Sequence, residues 1–374
     1  MEDSQRKRVL LVVRYPVGGI RTYIRYIYQQ DIFDEYDFSV IAPDPGLESF
    51  FREIFSGRNF EYDVCEDNWD LLKKVWRYTR NNKVALIHSH GFTAGSLSAV
   101  IARCFHIKHL MTAHDVFQKK QFSGFKGKVK KWLLSRVFVS IDMIHTVSFD
   151  ATNDLLAFFP AIKKERIRCI PHGIDAEQFY HSTASDLKLS YDKTRTCLIG
   201  FFGRFMAQKG FNYLIDAIEI IVRDKLTDRE PLVLTFDWGG FVREEYEYIE
   251  SRGLKKYFHM MQHTDDMPGV IKAMDLVAMP SLWESSGLLG MESLVSGVPI
   301  IGASCIGLRE VLSDSPAVLV PPRDSQALAR ALADEINDPQ KKTFREFSDV
   351  ARQRFSLLRP SSELKKIYTE IISG

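Results

Sequence analysis

Two glutamates, Glu284 and Glu292, stand eight positions apart in the stretch PSLWESSGLLGMESLVSGVPIIG, which runs from Pro280 to Gly302. A carboxylate only accepts hydrogen bonds, and it can accept them from two neighbouring hydroxyls, as a ribose or a hexose diol offers. The pair could therefore bind the hydroxyl groups of one ligand at two separate points.

The surrounding pattern predicts a strand, a loop and a helix. A strand-like apolar run precedes the stretch, and apolar residues recur at helical spacing after Gly287, which puts Glu284 in the loop and Glu292 inside the helix. Eight helical residues span roughly 12 Å, about the length of a nucleotide sugar. The free N–H groups of the helix start, near Ser286, Gly287 and Leu288, favour an anion between the two carboxylates. The alternative, an ordinary amphipathic helix whose glutamates face water, is not excluded by spacing.

Two cations stand at the end of a second strand-like run. Gly203-Arg204 follows that run, and Lys209-Gly210 comes shortly before a helical pattern. Arginine binds phosphate oxygens in planar bidentate contacts and lysine acts as a point charge, so together they could hold a diphosphate that faces Gly287. A pair of ordinary surface cations would have the same spacing.

A glycine pair, Gly18-Gly19, lies between the first strand-like run and the first helical pattern. Glycine allows a close backbone approach, so a ligand could lie against this turn, although a tight strand-to-helix turn explains it equally well. A dinucleotide-binding dehydrogenase is disfavoured because the segment YPVGGIR has no GxGxxG pattern.

Histidines close two further strand-like runs. His114 ends one of them and is followed by Asp115, so we predict a positioning role for His114 and a weaker role for Asp115 as its orienting partner. His90 could lie beside a second substrate, on the acceptor side of a site. A lone histidine is more often a structural residue, and we interpret His88 and His145 in that way.

Residues 117–138 read FQKKQFSGFKGKVKKWLLSRVF, with seven cations, no acid and several aromatic side chains. Such a segment could bind an anionic membrane surface or a phosphate-bearing lipid acceptor. A solvated helix with one buried face remains the alternative.

Composition places the chain among globular proteins. It has 374 residues, 45% of them hydrophobic, a net charge of +2 and five scattered cysteines. The balanced charge does not indicate nucleic-acid binding, and the cysteines indicate reduced thiols rather than a disulfide or zinc framework.

Neither HExxH nor a DxD motif is present, so we expect no metal and no cofactor. No apolar run reaches the ~18 residues of a membrane span, so we expect a cytoplasmic protein that could be peripheral at the inner face of the cell membrane.

Strand-like runs alternate with helical patterns in two series, which is typical of parallel sheets covered by helices on both sides. The runs lie at Val9–Val13, Phe38–Ala42, Ala85–His88, His109–Ala113 and Met143–Val147, and then at Cys197–Phe202, Leu232–Phe236, Leu276–Met279, Val298–Ile301 and Ala317–Val320. We predict an α/β fold of two doubly wound, Rossmann-like domains facing a central cleft. The expected ranges are 1–178 for an N-terminal domain, 179–195 for a polar linker, 196–355 for a second domain and 356–374 for a final amphipathic helix.

The spaced glutamates, together with Gly-Arg and Lys-Gly, resemble the motifs of the retaining glycosyltransferases of family four, which have the two-domain glycosyltransferase-B fold. The resemblance runs from about Val9 to Tyr368. Ser286 stands where the family usually has Phe. Asp237-Trp238-Gly239-Gly240 stands in place of a Gly-x-Gly-Pro loop, so Trp238 could stack on the nucleobase or pack in the core. Pro171-His172-Gly173-Ile174-Asp175 resembles the family's interdomain turn.

The resemblance makes 1–178 the acceptor-side domain and 196–355 the nucleotide-sugar-binding domain, and it implies roles for the candidate residues. Arg204 and Lys209 would hold the diphosphate, Glu292 the ribose and Glu284 a sugar hydroxyl. His114 would lie beside the transferring sugar, Gly18 and Gly19 would border the donor, and the final helix would cross back to the N-terminal domain.

The implied activity is a retaining, metal-independent transfer of a hexose from a UDP- or GDP-sugar to the hydroxyl of a glycan or lipid-linked acceptor. Synthesis of bacterial glycan, lipopolysaccharide or exopolysaccharide would use such a reaction. A sugar-nucleotide epimerase or hydrolase on the same fold and a non-catalytic nucleotide-sugar-binding protein remain as alternatives. An epimerase or hydrolase would consume donor without an acceptor, whereas a non-catalytic protein would turn over none.

Overall fold

The computed structural model describes residues 6–16, 18–43, 46–236, 242–262 and 264–374. Val17 and Asp237-Trp238-Gly239-Gly240 lie outside the described residues, and with them the predicted stacking role of Trp238. The chain divides into two compact units, the first made of Met1–His172 and Leu357–Gly374 and the second of Gly173–Ser356.

The strands of the described residues are β1 (Lys7–Val13), β2 (Tyr36–Ala42), β3 (Phe60–Val64), β4 (Leu86–His90), β5 (His109–Ala113), β6 (Met143–Thr146), β7 (Ile167–Cys169), β8 (Thr196–Gly200), β9 (Glu230–Phe236), β10 (Phe258–Met261), β11 (Leu276–Met279), β12 (Ile300–Ala303) and β13 (Val318–Val320).

The α-helices of the same residues are α1 (Gly19–Tyr28), α2 (Leu47–Ile54), α3 (Asn68–Asn81), α4 (Phe92–Phe105), α5 (Gly124–Val139), α6 (Phe149–Phe158), α7 (Ala176–His181), α8 (Phe211–Asp224), α9 (Val242–Ser251), α10 (Met267–Lys272), α11 (Leu288–Val295), α12 (Leu308–Leu312), α13 (Ser325–Asn337), α14 (Lys341–Arg354) and α15 (Leu358–Ser373).

The first unit is built on a parallel sheet in which the described strands follow the order β3-β2-β1-β4-β5-β6-β7. Its central strand β1 is buried from Val9 to Val13, as expected for a strand that helices cover on both faces. On one face, β1 packs against α1, α2 and α15 through a core that includes Tyr28 and Tyr368. On the other face, α3 and α4 cover β1 and β4.

The second unit has the described strand order β10-β9-β8-β11-β12-β13, also parallel. Its largest core packs α8 and α13 against the sheet. The two predicted doubly wound, Rossmann-like sheets are therefore confirmed.

Each sheet has a point where the winding reverses, between β1 and β4 in the first unit and between β8 and β11 in the second. Ligands of open α/β sheets bind beyond the carboxyl ends of strands at such a point. The predicted site residues follow the strands nearest to it: the glycine pair follows β1, Arg204 and Lys209 follow β8, and Glu284 follows β11.

The described chain differs from the sequence interpretation in two respects. Strands β3, β7 and β10 were not expected, and each of them lies at an edge of its sheet. The segment 179–195, which we assigned to a linker, belongs to the second unit together with everything from Gly173, and Ser185 N donates to Gly269 O there at 2.9 Å. The last helix, α15, belongs to the first unit.

Candidate functional site

In the second unit, two loops at the switch point lie in direct backbone contact. Lys209 ends a short 3₁₀ turn, Ala207–Lys209, and Gly210 then takes a left-handed conformation with φ +67° before α8 begins. A Cβ atom at Gly210 would lie 2.1 Å from the carbonyl oxygen of Pro280, which follows β11. Only glycine fits this approach, and it brings the Lys209 loop against the Glu284 loop.

Hydrogen bonds fasten the same two loops further along. Leu282 N donates to Gln208 O at 2.7 Å. The side-chain amide of Gln208 donates to Trp283 O at 2.9 Å. The backbone of the Glu284 loop is thus positioned by the residue that precedes Lys209.

The ammonium group of Lys209 donates to Glu284 Oε1 at 2.7 Å, and the hydroxyl of Ser281 donates to the same oxygen at 2.7 Å. The Glu284 side chain is buried. Among the described residues, Glu284 Oε2 has no hydrogen-bond partner, and two of the three ammonium hydrogens of Lys209 have none. An anion and a hydroxyl group could therefore be bound next to each other.

Glycines also shape the other side of Glu284. Its N–H donates to Ile306 O at 3.0 Å, and a Cβ atom at Gly307 would lie 2.4 Å from the Glu284 carbonyl oxygen. Gly287 takes a left-handed conformation and precedes α11 without a side-chain cap. The first N–H groups of α11, beginning at Leu288, therefore lack a side-chain acceptor and suit an anion.

Ser286 lies between Glu284 and this helix start. Its hydroxyl is buried and makes no hydrogen bond with a described residue. A buried hydroxyl without a partner is unfavourable in the free protein, so a ligand oxygen that bonded to it would be stabilised.

Glu292 lies in α11, and its side chain is partly buried. Burial raises the pKa of Glu292 to about 7, and the positive charge of Lys209 opposes that shift. Lys209 thus acts electrostatically on Glu292 while it contacts Glu284 directly. The structure brings Lys209 together with both of the spaced glutamates.

Arg204 follows Gly203, and a Cβ atom at Gly203 would lie 3.4 Å from the Lys209 side chain. Arg204 is partly exposed, and its guanidinium group forms no ion pair or hydrogen bond with any residue that the structure describes. Its donors are therefore available to a phosphate group.

In the first unit, His114 lies just beyond β5 and is buried. Its Nε2 atom is 3.0 Å from Nδ1 of His90, and its ring lies 4.8 Å from that of Tyr23 and 6.0 Å from that of His172. Nδ1 of His114 has no partner among the described residues.

His90 does not suit the acceptor contact that we predicted for it. The side chain is almost completely buried, and both ring nitrogens already have partners, Nδ1 with His114 and Nε2 with the Tyr28 hydroxyl at 3.1 Å. No ring nitrogen is left for a ligand, because the end of β4 lies under α1 rather than at the surface.

Burial in this histidine cluster favours the neutral rings. It lowers the pKa of His88, His90 and His114 well below the usual value, and their mutual repulsion adds to the effect. The pKa of His145 falls to about 4 and that of His172 to about 3 for the same main reason. At neutral pH the cluster can exchange hydrogen bonds but carries no charge.

The other first-unit candidates are Gly18, Gly19 and Asp115. Gly18 has φ +56° and precedes α1 without a side-chain cap, and Gly19 is the first residue of that helix. Asp115 is exposed and accepts a hydrogen bond from Val116 N at 2.8 Å.

Sequence reasoning missed the tyrosines that contact the histidines. Tyr23 and Tyr28 lie on the buried face of α1, and Tyr368 lies on the buried face of α15. Helical periodicity identifies these faces as buried, but it does not tell which strand each face covers.

Across the residues that the structure describes, no three His, Cys, Asp or Glu side chains are grouped closely enough to hold a metal ion. No helix of the same residues combines the length and apolar character needed to cross a membrane.

Comparison with known proteins identifies the class. The family model described as Glycosyltransferase Family 4 matches residues 17–178, and the model described as Glycosyl transferases group 1 matches residues 196–338. Two parallel α/β units with these matches define a glycosyltransferase of the glycosyltransferase-B fold. The chain belongs to family four of the glycosyltransferases, as its motifs predicted.

Two curated relatives extend along most of the chain. A UDP-Gal:alpha-D-GlcNAc-diphosphoundecaprenol alpha-1,3-galactosyltransferase of Escherichia coli is 22% identical and covers 91% of this chain and 90% of its own length. A D-inositol 3-phosphate glycosyltransferase of Corynebacterium kroppenstedtii is 26% identical and covers 95% of this chain and 86% of its own length.

Among solved structures, Anabaena Alr3699/HepE in complex with UDP-glucose has a TM-score of 0.80 at 20% identity and covers 97% of this chain and 99% of its own. A sucrose-phosphate synthase from Thermosynechococcus elongatus has a TM-score of 0.78 at 18% identity and covers 98% of this chain and 100% of its own. At these identities the likeness concerns the fold.

The contact between Gly210 and Pro280 gives a first testable prediction. Gly210→Ala should separate the two loops, because the new Cβ atom meets a backbone oxygen that cannot rotate away. Gly253→Ala is the matched control, since Gly253 has φ +69° and a Cβ atom added there would meet no atom within 4 Å. Both variants incur the left-handed backbone cost of about 1–2 kcal/mol.

Urea unfolding should show a larger loss of stability for Gly210→Ala than for Gly253→Ala. Equal losses for the two substitutions would contradict the structural role of the contact.

Proposed function

We propose that this protein is a retaining, metal-independent hexosyltransferase that moves a sugar from a nucleoside diphosphate donor to an acceptor hydroxyl. The observation that carries the proposal is the convergence of Lys209 on Glu284 by direct contact and on Glu292 by its charge. A cation between two acceptor-only groups suits a ligand that has phosphate in its middle and hydroxyls at both ends. A UDP-sugar is favoured over a GDP-sugar because Anabaena HepE was solved with UDP-glucose and the Escherichia coli relative is named for UDP-Gal.

In the donor complex, Lys209 and Arg204 bind the diphosphate together with the N–H groups at the start of α11. Glu292 accepts hydrogen bonds from the ribose diol, and Oε2 of Glu284 accepts one from a sugar hydroxyl. Lys209 and Ser281 hold Oε1 of Glu284, so the orientation of that carboxylate exists before the ligand arrives. In the first unit, His114 offers a ring nitrogen to a sugar hydroxyl, and Gly18 and Gly19 allow a ligand to approach the backbone closely.

The reaction breaks the bond between the anomeric carbon and the diphosphate oxygen and forms a bond to the acceptor oxygen on the same face of the sugar. The acceptor proton passes to an oxygen of the leaving diphosphate. Negative charge grows on that group in the transition state, where Arg204, Lys209 and the helix start stabilise it. Other transferases assign this task to a metal ion.

A panel of nucleotide sugars in a thermal-shift assay, followed by transfer assays with the best donor, tests the proposal. A product whose anomeric configuration equals that of the donor, observed by NMR, is the expected result. Donor consumption that is independent of any acceptor would instead indicate a hydrolase or an epimerase, and binding without turnover would indicate a non-catalytic protein.

A membrane-facing role is the second part of the proposal. Helix α5 exposes Phe125, Val129, Trp132 and Leu133, whose spacing of three or four residues places them on one stripe. Exposed lysines flank the stripe, and Asp115 is the only acidic residue between positions 71 and 141. An apolar stripe within a basic surface suits the headgroup region of an anionic bilayer, where a lipid-linked acceptor would also lie.

Removal of either phosphate-binding cation should slow the transfer reaction. Arg204→Ala and Lys209→Ala are each expected to lower kcat by about 10²–10³, the usual loss for one group that stabilises transition-state charge. Arg223→Ala is the control, because Arg223 is exposed on α8 and pairs only with neighbouring Asp224 among the described residues. Chelators should leave the rate unchanged. Near-normal turnover in both cation variants would contradict the binding of diphosphate here.

Donor binding should depend on the ionisation of Glu292. With a pKa of about 7, this group is mostly neutral at pH 6 and mostly ionised at pH 8. The ionised form is the one that accepts two ribose hydrogen bonds, so the dissociation constant of UDP-glucose should rise about tenfold as pH falls from 8 to 6.

Glu292→Gln should bind more weakly and lose this pH dependence. UDP-glucose is a suitable probe because its diphosphate has no group that ionises in this range. The buried histidines do not interfere, since burial holds their pKa values below this range. A wild-type affinity that is constant between pH 6 and 8 would refute the assignment.

Binding to membranes should depend on both charge and the apolar stripe. The protein should sediment with vesicles that contain anionic lipid at low salt, and binding should decrease at high salt. Phe125→Ala combined with Trp132→Ala should reduce binding about tenfold because two rings no longer enter the bilayer interface. Val350→Ala, at an exposed position of α14, is the control. Equal recovery with neutral and anionic vesicles at low salt would contradict the membrane-facing role of α5.

A further inference from the structure

A continuous line of hydrogen bonds crosses the interior of the first unit. It begins at His114 and passes through His90, Tyr28, Tyr368, His88, Thr112 and His145 to the carbonyl oxygen of Ile170. The seven contacts measure 3.0, 3.1, 3.1, 2.7, 2.7, 3.1 and 3.1 Å in that order. Every one of these side chains is buried.

The direction of each bond can be worked out from the fixed end. The carbonyl of Ile170 only accepts, so Nε2 of His145 carries a hydrogen and its Nδ1 accepts from the hydroxyl of Thr112. Thr112 has then used its one hydrogen and must accept from Nε2 of His88. Because burial keeps His88 neutral, its Nδ1 is bare and accepts from a tyrosine.

Two tyrosine hydroxyls meet at that atom. Tyr368 lies 2.7 Å and Tyr28 lies 2.8 Å from Nδ1 of His88, and the two hydroxyls lie 3.1 Å apart. In one arrangement, Tyr368 donates to His88 and Tyr28 donates to Tyr368. In the other, Tyr28 donates to His88 and Tyr368 donates to Tyr28. In both cases the hydrogen of Tyr28 is used, so Tyr28 must accept from Nε2 of His90.

The opposite arrangement, with Tyr28 donating to His90, is less favourable. Three short contacts join Tyr28, Tyr368 and His88. If Tyr28 donates to His90, only one of these three contacts contains a hydrogen, whereas the other arrangements place a hydrogen in two of them. Aligned donors along a buried chain also reinforce one another. The aligned arrangement therefore gives His90 a hydrogen on Nε2 and a bare Nδ1, which accepts from Nε2 of His114.

We propose that Tyr28 is a positioning residue that holds His114 in the Nε2–H tautomer and so presents a bare Nδ1 atom as a hydrogen-bond acceptor. This nitrogen would receive a hydrogen bond from a hydroxyl of the transferred sugar, a step that rests on the proposed function. Tyr28 has this effect because its hydroxyl is the one that contacts both His88 and His90 among the described residues. Tyr368 can be bypassed, since Tyr28 reaches His88 directly.

Nitrogen-15 NMR of the histidine side chains tests the proposal without any turnover. In the wild-type protein His88, His90, His114 and His145 should all be Nε2–H tautomers, with the His114 signals identified by their loss in His114→Asn. A wild-type His114 that carries its hydrogen on Nδ1 would overturn the proposal, even if no other variant folded.

Two variants that each remove one buried hydroxyl provide the matched comparison. In Tyr28→Phe the Nε2–H of His90 would face a ring without a partner, so its hydrogen should move to Nδ1 and bond to His114, which then becomes the Nδ1–H tautomer. In Tyr368→Phe the tautomers should stay as in the wild type. An unchanged His114 in Tyr28→Phe would also overturn the proposal, because a purely structural tyrosine would leave the tautomer in place.

Kinetics then connects the tautomer to the sugar. Tyr28→Phe should lower kcat/KM about tenfold, and Tyr368→Phe should change it less than about twofold. If Tyr28→Phe and Tyr368→Phe differ in the tautomer of His114 but have equal kcat/KM, the proposed contact between His114 and the sugar is wrong. A wild-type protein without transferase activity would refute the proposed function, while the NMR result would still decide the role of Tyr28.

Discussion

The contact of Gly210 with the carbonyl oxygen of Pro280 is the constraint on which the candidate site of the second unit depends. The loop after β8 and the loop after β11 meet at the switch point because β8 and β11 are neighbours in the sheet. Their side chains can combine only if the backbones approach within van der Waals distance, which needs a residue without a Cβ atom. Once this approach is made, the ion pair of Lys209 with Glu284 follows from the geometry, and Ser281 completes the hydrogen bonding of the carboxylate.

The two units use different electrostatics at corresponding places. Beyond β8 and β11, Lys209 and Arg204 provide positive charge, and the pKa of Glu292 is raised by burial while the charge of Lys209 opposes that shift. Beyond β4 and β5, burial suppresses charge on the histidines, and their hydrogen bonds run through neutral rings and hydroxyls. Charge suits the binding of a diphosphate, whereas neutral dipoles suit the orientation of hydroxyl groups.

Much of the fold could be predicted because central strands of parallel sheets are continuous apolar runs, as in β1 and β11. The strands that were missed, β3, β7 and β10, are short edge strands, and β3 alternates exposed acids with aromatic residues. In the site, Lys209, Glu284 and Glu292 were predictable because motif spacing and strand ends mark them. The contacts of Tyr28 and Tyr368 with His88 were not, since they join residues 60 and 280 positions apart. Periodicity reveals that a helix face is buried but not which partner it covers.

In the proposed transfer reaction, the protonation of His114 limits how the acceptor hydroxyl could be activated. A general base works best when its pKa lies near the operating pH, and burial with neighbouring histidines lowers the pKa of His114 far below that range. The bare nitrogen that the chain through His90 leaves on His114 is thus a good hydrogen-bond acceptor but a poor acceptor of a whole proton. The leaving diphosphate, whose oxygens gain negative charge as its bond breaks, is the stronger base at that moment. For the proposed reaction, the burial of His114 therefore favours transfer of the acceptor proton to the donor phosphate, and it limits His114 to orienting a sugar hydroxyl.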